Sequence, residues 1–334
     1  MVSVFHPLIG QPQAIELLTQ AISLNRIAPA YLFVGPPGVG RSLAANCFLE
    51  LLLGTPITPT GVIETTTPGV SKAQNSAALR HRIDPRNHPD LLWVQPTYLH
   101  QGKRISATEA SALGLKRKAP PQIRLEQVRE ITQFLSRPPL EATRSVVVLE
   151  QAETMAEAAA NGLLKTLEEP GRATLILIAP DVDALLPTLV SRCQRIPFSR
   201  LSPEQMTQVL QRAHHEEVLN QPEILAIAQG SPGQAIASFQ QLQALSPDLL
   251  AAIPPPPNSV RSALELAYQI SQELDTEAQL WLLDYLQHRY WQQCLSHKFP
   301  IAFIHLLQQA RRQLVSYVQP RLVWEVTFLK LSQL

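Results

Sequence analysis

The chain has 334 residues, 45% of them hydrophobic and 16% charged, with a formal net charge of +1. That length allows two or three domains, and the composition is that of a soluble globular protein. The near-neutral charge excludes one dominant basic surface for nucleic acid and leaves only a local patch. No apolar run approaches the roughly 18 residues of a membrane span. Cys47, Cys193 and Cys294 are far apart with no C-x-x-C pair, which fits a reducing compartment and argues against a four-cysteine zinc site. Met1 to Gly10 has neither a basic nor an apolar leader region, so the expected location is cytoplasmic, with no membrane partner.

In chain order, Pro12 to Leu24 carries apolar residues at helical spacing, at Ala14, Leu17, Leu18 and Ala21. Ala30-Tyr-Leu-Phe-Val34 reads as a buried strand running into Gly35-Pro-Pro-Gly-Val-Gly-Arg-Ser42, and Ser42 to Leu53 as the following helix. Strand, glycine loop and helix are the setting of a phosphate-binding P-loop, G-x-x-x-x-G-K-[ST]. Gly35, Gly38, Gly40 and Ser42 suit it, but Arg41 holds the lysine position. An arginine keeps the charge on a bulkier, forked group, so the exchange is not neutral.

Residues 54–121 read as an insertion. Its first part is rich in Thr, Pro and Gly. Asp90-Leu-Leu-Trp-Val94 is a second strand, entered through a turn at His88. The segment holds 9 Lys+Arg against 4 Asp+Glu, a local charge of +5, with basic residues at Lys103-Arg104 and Lys116-Arg117-Lys118. Such a run is a solvated face or a weak, sequence-independent DNA contact.

Ile123 to Leu135 returns to helical periodicity. Ser145-Val-Val-Val-Leu149 is a continuous β-branched run, the pattern of a parallel strand buried on both faces, and it ends in Glu150-Gln151. Thr154 to Glu168 reads as a helix stopped by Pro170, with Lys165 and Glu168-Glu169 as its charged end. Thr174 to Ala179 reads as another buried strand. Alternating strands and helices predict an α/β fold, a mostly parallel sheet with helices on both faces.

From Leu201 no strand-like run occurs. Pro203–His214, Pro222–Ala228 and Gly233–Leu245 read as short helices, and Ala252 to Asn258 as a polyproline spacer. Val260–Glu273, Glu277–Ser296, Pro300–Ser316 and Pro320–Leu331 read as four further helices. Their aromatics Trp281, Tyr285, Trp291 and Trp324 are expected to pack a core or meet a partner. His214-His215 has no neighbouring ligands at metal-site spacing, so no metal site is expected.

Four segments occur in order: the P-loop, the strand ending in Glu150, the helix with Leu163-Leu-Lys-Thr-Leu-Glu-Glu-Pro170, and Ser191-Arg-Cys193. Together with Leu8-Ile-Gly-Gln11, this set resembles the AAA+ subunits of DNA clamp loaders, most closely the bacterial delta-prime family. The resemblance is close over about residues 5–52 and 88–240. It implies an AAA+ core over 1–199 with the insertion at about 54–121, a helical lid at 200–246, a Pro-rich linker at 247–259 and a helical collar for oligomerisation at 260–334. It further implies a heteropentameric ring that loads a sliding clamp on primer–template DNA within a DNA polymerase III holoenzyme. The partners would be the ATPase subunit gamma/tau and the clamp-opening subunit delta, with the clamp contacted indirectly.

The resemblance also marks departures. A competent site of this kind takes a P-loop lysine, an aspartate to help hold Mg²⁺ and a glutamate to polarise water. Here Arg41, Glu150 and Gln151 hold those positions, and an amide cannot take the proton. The γ-phosphate sensor falls at Ala179-Pro180 and the second sensor at Gln234. Phosphoryl transfer rests on positioning and charge stabilisation, so intrinsic ATPase is not expected. No cofactor is required, although residual ATP or ADP with Mg²⁺ could dock on the degenerate P-loop. Residues 54–90 hold no cysteine, so the zinc module of many relatives is not expected. Arg192, in an intact Ser-Arg-Cys, corresponds to the arginine finger given in trans to a neighbour's ATP. Two other readings stay open: an active AAA+ ATPase in which Arg41 and Glu150 suffice, and a P-loop scaffold outside replication.

Overall fold

The three most apolar runs form the centre of one sheet. The computed structural model describes residues 4–54, 88–106, 109–110, 120–253, 256–296, 300–316 and 318–333. Within it, β1 (Ala30–Val34), β5 (Ser145–Leu149) and β6 (Ala173–Ala179) lie side by side. All five residues of β5 and all seven of β6 are buried. With β2 (Leu91–Val94) and β7 (Gln194–Pro197) they make a five-stranded sheet of order β2-β5-β6-β1-β7, every pair parallel.

Side-chain alternation along β1 shows why both faces are covered. Leu32 packs in a core with Ile123, with Val128 and Ile131 of α3 (Leu125–Leu135), and with Leu163 and Leu167 of α4 (Glu157–Glu168). Tyr31 points the other way, its ring 5.1 Å from that of Phe48 on α2 (Arg41–Leu53), the helix that follows α1 (Pro12–Ser23) in the chain. The expected α/β core with a mostly parallel sheet is therefore the observed one.

Two strand features were not expected. β7 buries only Ile196 of its four residues, so it carries no apolar run to read. β3 (Tyr98–His100) and β4 (Lys103–Ile105) form a hairpin closed by Gln101 and Gly102, both at positive φ (49° and 76°), as a two-residue loop demands. Both strands lie in the presumed insertion. The basic segment is thus partly structured, and Arg104 is bonded to Glu130 on α3 by both guanidinium Nη atoms. The triplet Lys116-Arg117-Lys118 lies outside the described residues, as do residues 55–87.

Entry into β2 is fixed by Asp90, which is 2% exposed. Its carboxylate accepts from the backbone N–H groups of Leu140, Glu141 and Ala142 at 2.6, 2.7 and 2.6 Å. His88 shapes the turn before it, its Nδ1 accepting from the Asp90 N–H at 3.1 Å. Replacing Asp90 by alanine removes the shared acceptor of three backbone donors, that of the buried Ala142 among them. The substitution is expected to cost about 3 kcal/mol, seen as a lower urea midpoint with unchanged slope.

The chain falls into two compact units, the first ending at Gln205 and the second beginning at Met206. A single-turn helix, α5 (Pro187–Val190), leads to β7, and α6 (Pro203–Arg212) runs across the division. Among the described residues the second unit is helical throughout, with α7 (Pro222–Ala228), α8 (Pro232–Ala244), α9 (Pro247–Ala252), α10 (Val260–Glu273), α11 (Thr276–Leu295), α12 (Ala302–Val315) and α13 (Pro320–Leu331). The four long helices begin and end within three residues of their expected bounds. Trp324 is fully buried and donates from Nε1 to Gln279 at 2.9 Å. Tyr285 is buried against α7, its hydroxyl donating to Glu223 at 2.8 Å.

The expected linker at 247–259 needs correction. Its first half is α9, capped by Ser246, whose Oγ accepts from the Leu249 N–H at 3.3 Å. Leu249 and Ile253 are fully buried or nearly so. The spacer was read from the proline run within Ala252 to Asn258, which follows this helix; Pro247 at its first position is well tolerated.

Candidate functional site

The parallel sheet brings its strand C-terminal ends together, and the candidate residues follow from that. β1 ends at Val34 and opens into the glycine loop. Gly35, Gly38 and Gly40 all have positive φ, at 156°, 78° and 104°. Gly40 is the N-cap of α2 and offers no side chain to satisfy the first-turn N–H groups, which leaves them for an anion. Gln11 braces the loop from outside: its Nε2 donates to the carbonyls of Val39 (3.2 Å) and Ser199 (2.7 Å), and its Oε1 accepts from the Ser199 N–H (3.0 Å).

Register explains what meets the loop. Val94 of β2 lies beside Leu149 of β5, so the residues around both strand ends share one corner. Glu150 sits there with both oxygens engaged. Oε1 accepts from the Ser42 hydroxyl. Oε2 accepts from Trp93 Nε1 at 3.2 Å and Gln95 Nε2 at 2.6 Å. The structure thus brings Ser42 and Glu150 into contact, as the sequence pattern requires. Trp93 and Gln95 were not foreseen; their signal is their place at the end of the strand adjoining β5.

Arg41, at the first position of α2, is turned inward. Its Nη1 is enclosed and makes no hydrogen bond. Burial lowers its pKa, opposed by the charges of Glu153 and Glu150. Glu153 mirrors it: burial raises its pKa, opposed by its own backbone N–H and by Arg41, and its Oε2 is enclosed without a partner. Arg41 and Glu153 are therefore two desolvated charges that balance each other without a direct bond. Such a pair favours an internal role for the arginine over a free arm for phosphate.

Gln151 is exposed, held at φ 51°, with its carbonyl accepting from the Thr154 N–H and hydroxyl at 2.9 and 2.7 Å. It presents an amide where a base would be needed. Ser42 and Glu150 supply donors of the right chemistry for Mg²⁺, but both Glu150 oxygens already accept hydrogen bonds. Among the described residues no group of three or more His, Cys, Asp or Glu side chains could hold a metal ion. Residues 55–87, most of the segment in which no zinc module is expected, lie outside them.

Arg192 lies apart from this network. It follows α5, with Nη1 donating to the Thr188 carbonyl at 3.0 Å and Nη2 to Glu168 at 2.6 Å. Its side chain is 37% exposed and that of Glu168 52%. The neighbouring Cys193 thiol is pushed up to about 11 by burial, so it is no nucleophile at neutral pH. Gln234 belongs to the second unit, where its N–H bonds to the Ser231 cap at 3.2 Å.

Residues 10–202 match the family described as DNA polymerase III, delta subunit. Residues 204–331 match that described as cyanobacterial DNA polymerase III delta prime, C-terminal domain. The two matches meet where the two structural units do. The chain is 32% identical over 195 residues to DNA polymerase III subunit delta' of Bacillus subtilis, covering 58% of this chain and 49% of that protein. It is 33% identical over 211 residues to the Pseudomonas aeruginosa subunit of the same name, covering 61% and 54%. The chain matches about half the length of these curated relatives. Subunit tau of Bacillus subtilis is 24% identical over 252 residues, covering 74% of this chain and 39% of tau. A solved DNA polymerase III gamma subunit-related protein from Thermotoga maritima matches with a TM-score of 0.52 at 15% identity, covering 96% of this chain and 99% of that one; this likeness concerns fold alone. No helix among the described residues is long and apolar enough to cross a membrane.

Proposed function

The chain belongs to the DNA polymerase III delta-prime family, and on that premise we propose that it is a non-hydrolysing ring member of a clamp loader that lends Arg192 to a neighbour's ATP. The carrying observation is an asymmetry within one chain. The residues of its own P-loop corner are turned on one another, Ser42 to Glu150 and Arg41 toward Glu153, and Gln151 supplies no base. Arg192 is exposed and held by contacts that a stronger anion can replace.

In this reading the neighbour is the gamma/tau-type ATPase subunit, the clamp-opening delta subunit is the other protein partner, and the clamp and primer–template DNA are met in the assembly. The lid at 200–246 and the collar at 260–334 act as separate parts. An exposed apolar stripe supports the collar as an oligomerisation surface: Val260, Leu264 and Tyr268 on α10, and Leu322 and Val326 on α13. DNA contact is weak, since Glu130 neutralises Arg104. Its affinity falls with rising salt.

ATP turnover tests the reading directly. The purified chain is expected to show none above background, and Arg41→Lys alone is expected to add none, because Gln151 still offers no general base. Turnover by the purified chain that Arg41→Ala abolishes would overturn it and favour the active-ATPase reading. Residual nucleotide binding without turnover is compatible with the proposal, since backbone donors and Ser42 remain.

A further inference from the structure

A second polar site lies at the other end of the sheet. A cavity of about 380 Å³ is lined by Ile27 and Pro29 before β1, Thr143 and Arg144 before β5, and Gly171 and Arg172 before β6. These three strands are adjacent and parallel, so their N-terminal ends share one edge. The P-loop is at their C-terminal ends, about 16 Å away for a five-residue strand.

The cavity gathers two guanidinium groups and no acid. Among the described residues neither Arg144 nor Arg172 forms an ion pair with a carboxylate. Arg144 donates from Nη1 to Thr174 Oγ1 at 2.9 Å, and its Nε is enclosed without a partner. Burial lowers its pKa, opposed only by Tyr31. The Tyr31 hydroxyl accepts from the Ala28 N–H at 2.9 Å and is the titratable group facing Arg144. A partly desolvated cation lacking a counter-charge gains more from an anion than an exposed one does.

We propose that this cavity is an oxyanion site of phosphate type, read by Arg144 and Arg172 and independent of the P-loop. Two cations approaching from separate strand ends match a dianion with its charge spread over a tetrahedron. A planar monoanionic carboxylate is satisfied by one guanidinium fork. The volume leaves room beyond the phosphate itself, so the ligand is either free phosphate or a small phosphate monoester.

Titration of the full chain with inorganic phosphate, followed by the arginine Nε–Hε NMR signals, tests this. The Arg144 signal is expected to shift saturably, and phosphate to bind at least about tenfold more tightly than acetate. Arg172→Ala, an exposed change that leaves the fold intact, is expected to weaken phosphate about tenfold. The double variant with Arg144→Lys, followed by the backbone amide signals of Gly171 and Ala173, is expected to show no saturable shift, while Ser42→Ala leaves the Arg144 shift unchanged. Parallel titrations with phosphate and a nucleoside monophosphate separate the two sources. Equal affinity for acetate, unchanged affinity in Arg172→Ala, or a shift lost in Ser42→Ala would each overturn the proposal.

Discussion

Replacing Arg192 by alanine is expected to lower ATP turnover of the assembled clamp loader about 10³-fold while the variant chain folds and assembles normally. The two outcomes separate because the residue's own-chain contacts are weak. Its bond to Glu168 joins two exposed side chains, a class of pair worth about 0–1 kcal/mol. The Thr188 carbonyl remains solvent-accessible to water when the guanidinium leaves. In the neighbour's site the same group would face a transferring phosphoryl with water excluded, where a charge-assisted fork acts at full strength. Arg192→Lys is expected to recover little, since a point charge does not reproduce the fork. Turnover per assembly, measured beside assembly size, decides it. Unchanged turnover with normal assembly would remove Arg192 from the mechanism.

What could be read in advance follows a physical rule. β1, β5 and β6 were legible because burial on both faces demands an uninterrupted apolar run, and the long helices of the second unit because their apolar periodicity was clear. β7 was not, since an edge strand with one buried residue leaves no pattern. The hairpin at Tyr98–Ile105 rests on Gln101-Gly102, a turn pair in a stretch dominated by basic residues. In the site, the loop and the meeting of Ser42 with Glu150 were legible as residue types at a spacing. Their other partners were not. Glu150's ties to Trp93 and Gln95 require knowing that β2 adjoins β5. The enclosure of Arg41, with only the charges of Glu153 and Glu150 to oppose its desolvation, shows in no spacing. The Glu168–Arg192 pair joins residues on two separate elements. Sequence spacing supplies the chemistry of a site; strand order decides which groups already satisfy one another.

Gly35→Ala is expected to destabilise the first unit by about 3 kcal/mol, the upper end for overpacking a filled site, whether or not nucleotide is present. A glycine at the head of a P-loop is usually explained by backbone approach to phosphate, but here the contact is internal. A Cβ built on Gly35 would lie 2.3 Å from the Phe198 carbonyl oxygen and 2.8 Å from the Phe198 Cβ. Neither neighbour can move cheaply. The Phe198 N–H donates to the Val34 carbonyl at 2.7 Å, extending the β1–β7 ladder, and the next residue, Ser199, is held on both sides of its peptide by Gln11. Gly171→Ala is the control: its φ of +57° imposes the left-handed strain, but nothing lies within 4 Å of the new methyl, so the cost should be about 1 kcal/mol. Chemical denaturation of the two variants beside the parent protein separates crowding from backbone strain. A Gly35→Ala midpoint no lower than that of Gly171→Ala would return Gly35 to a role in ligand approach alone. The expected order makes the glycine loop a packing element whether or not phosphate binds it.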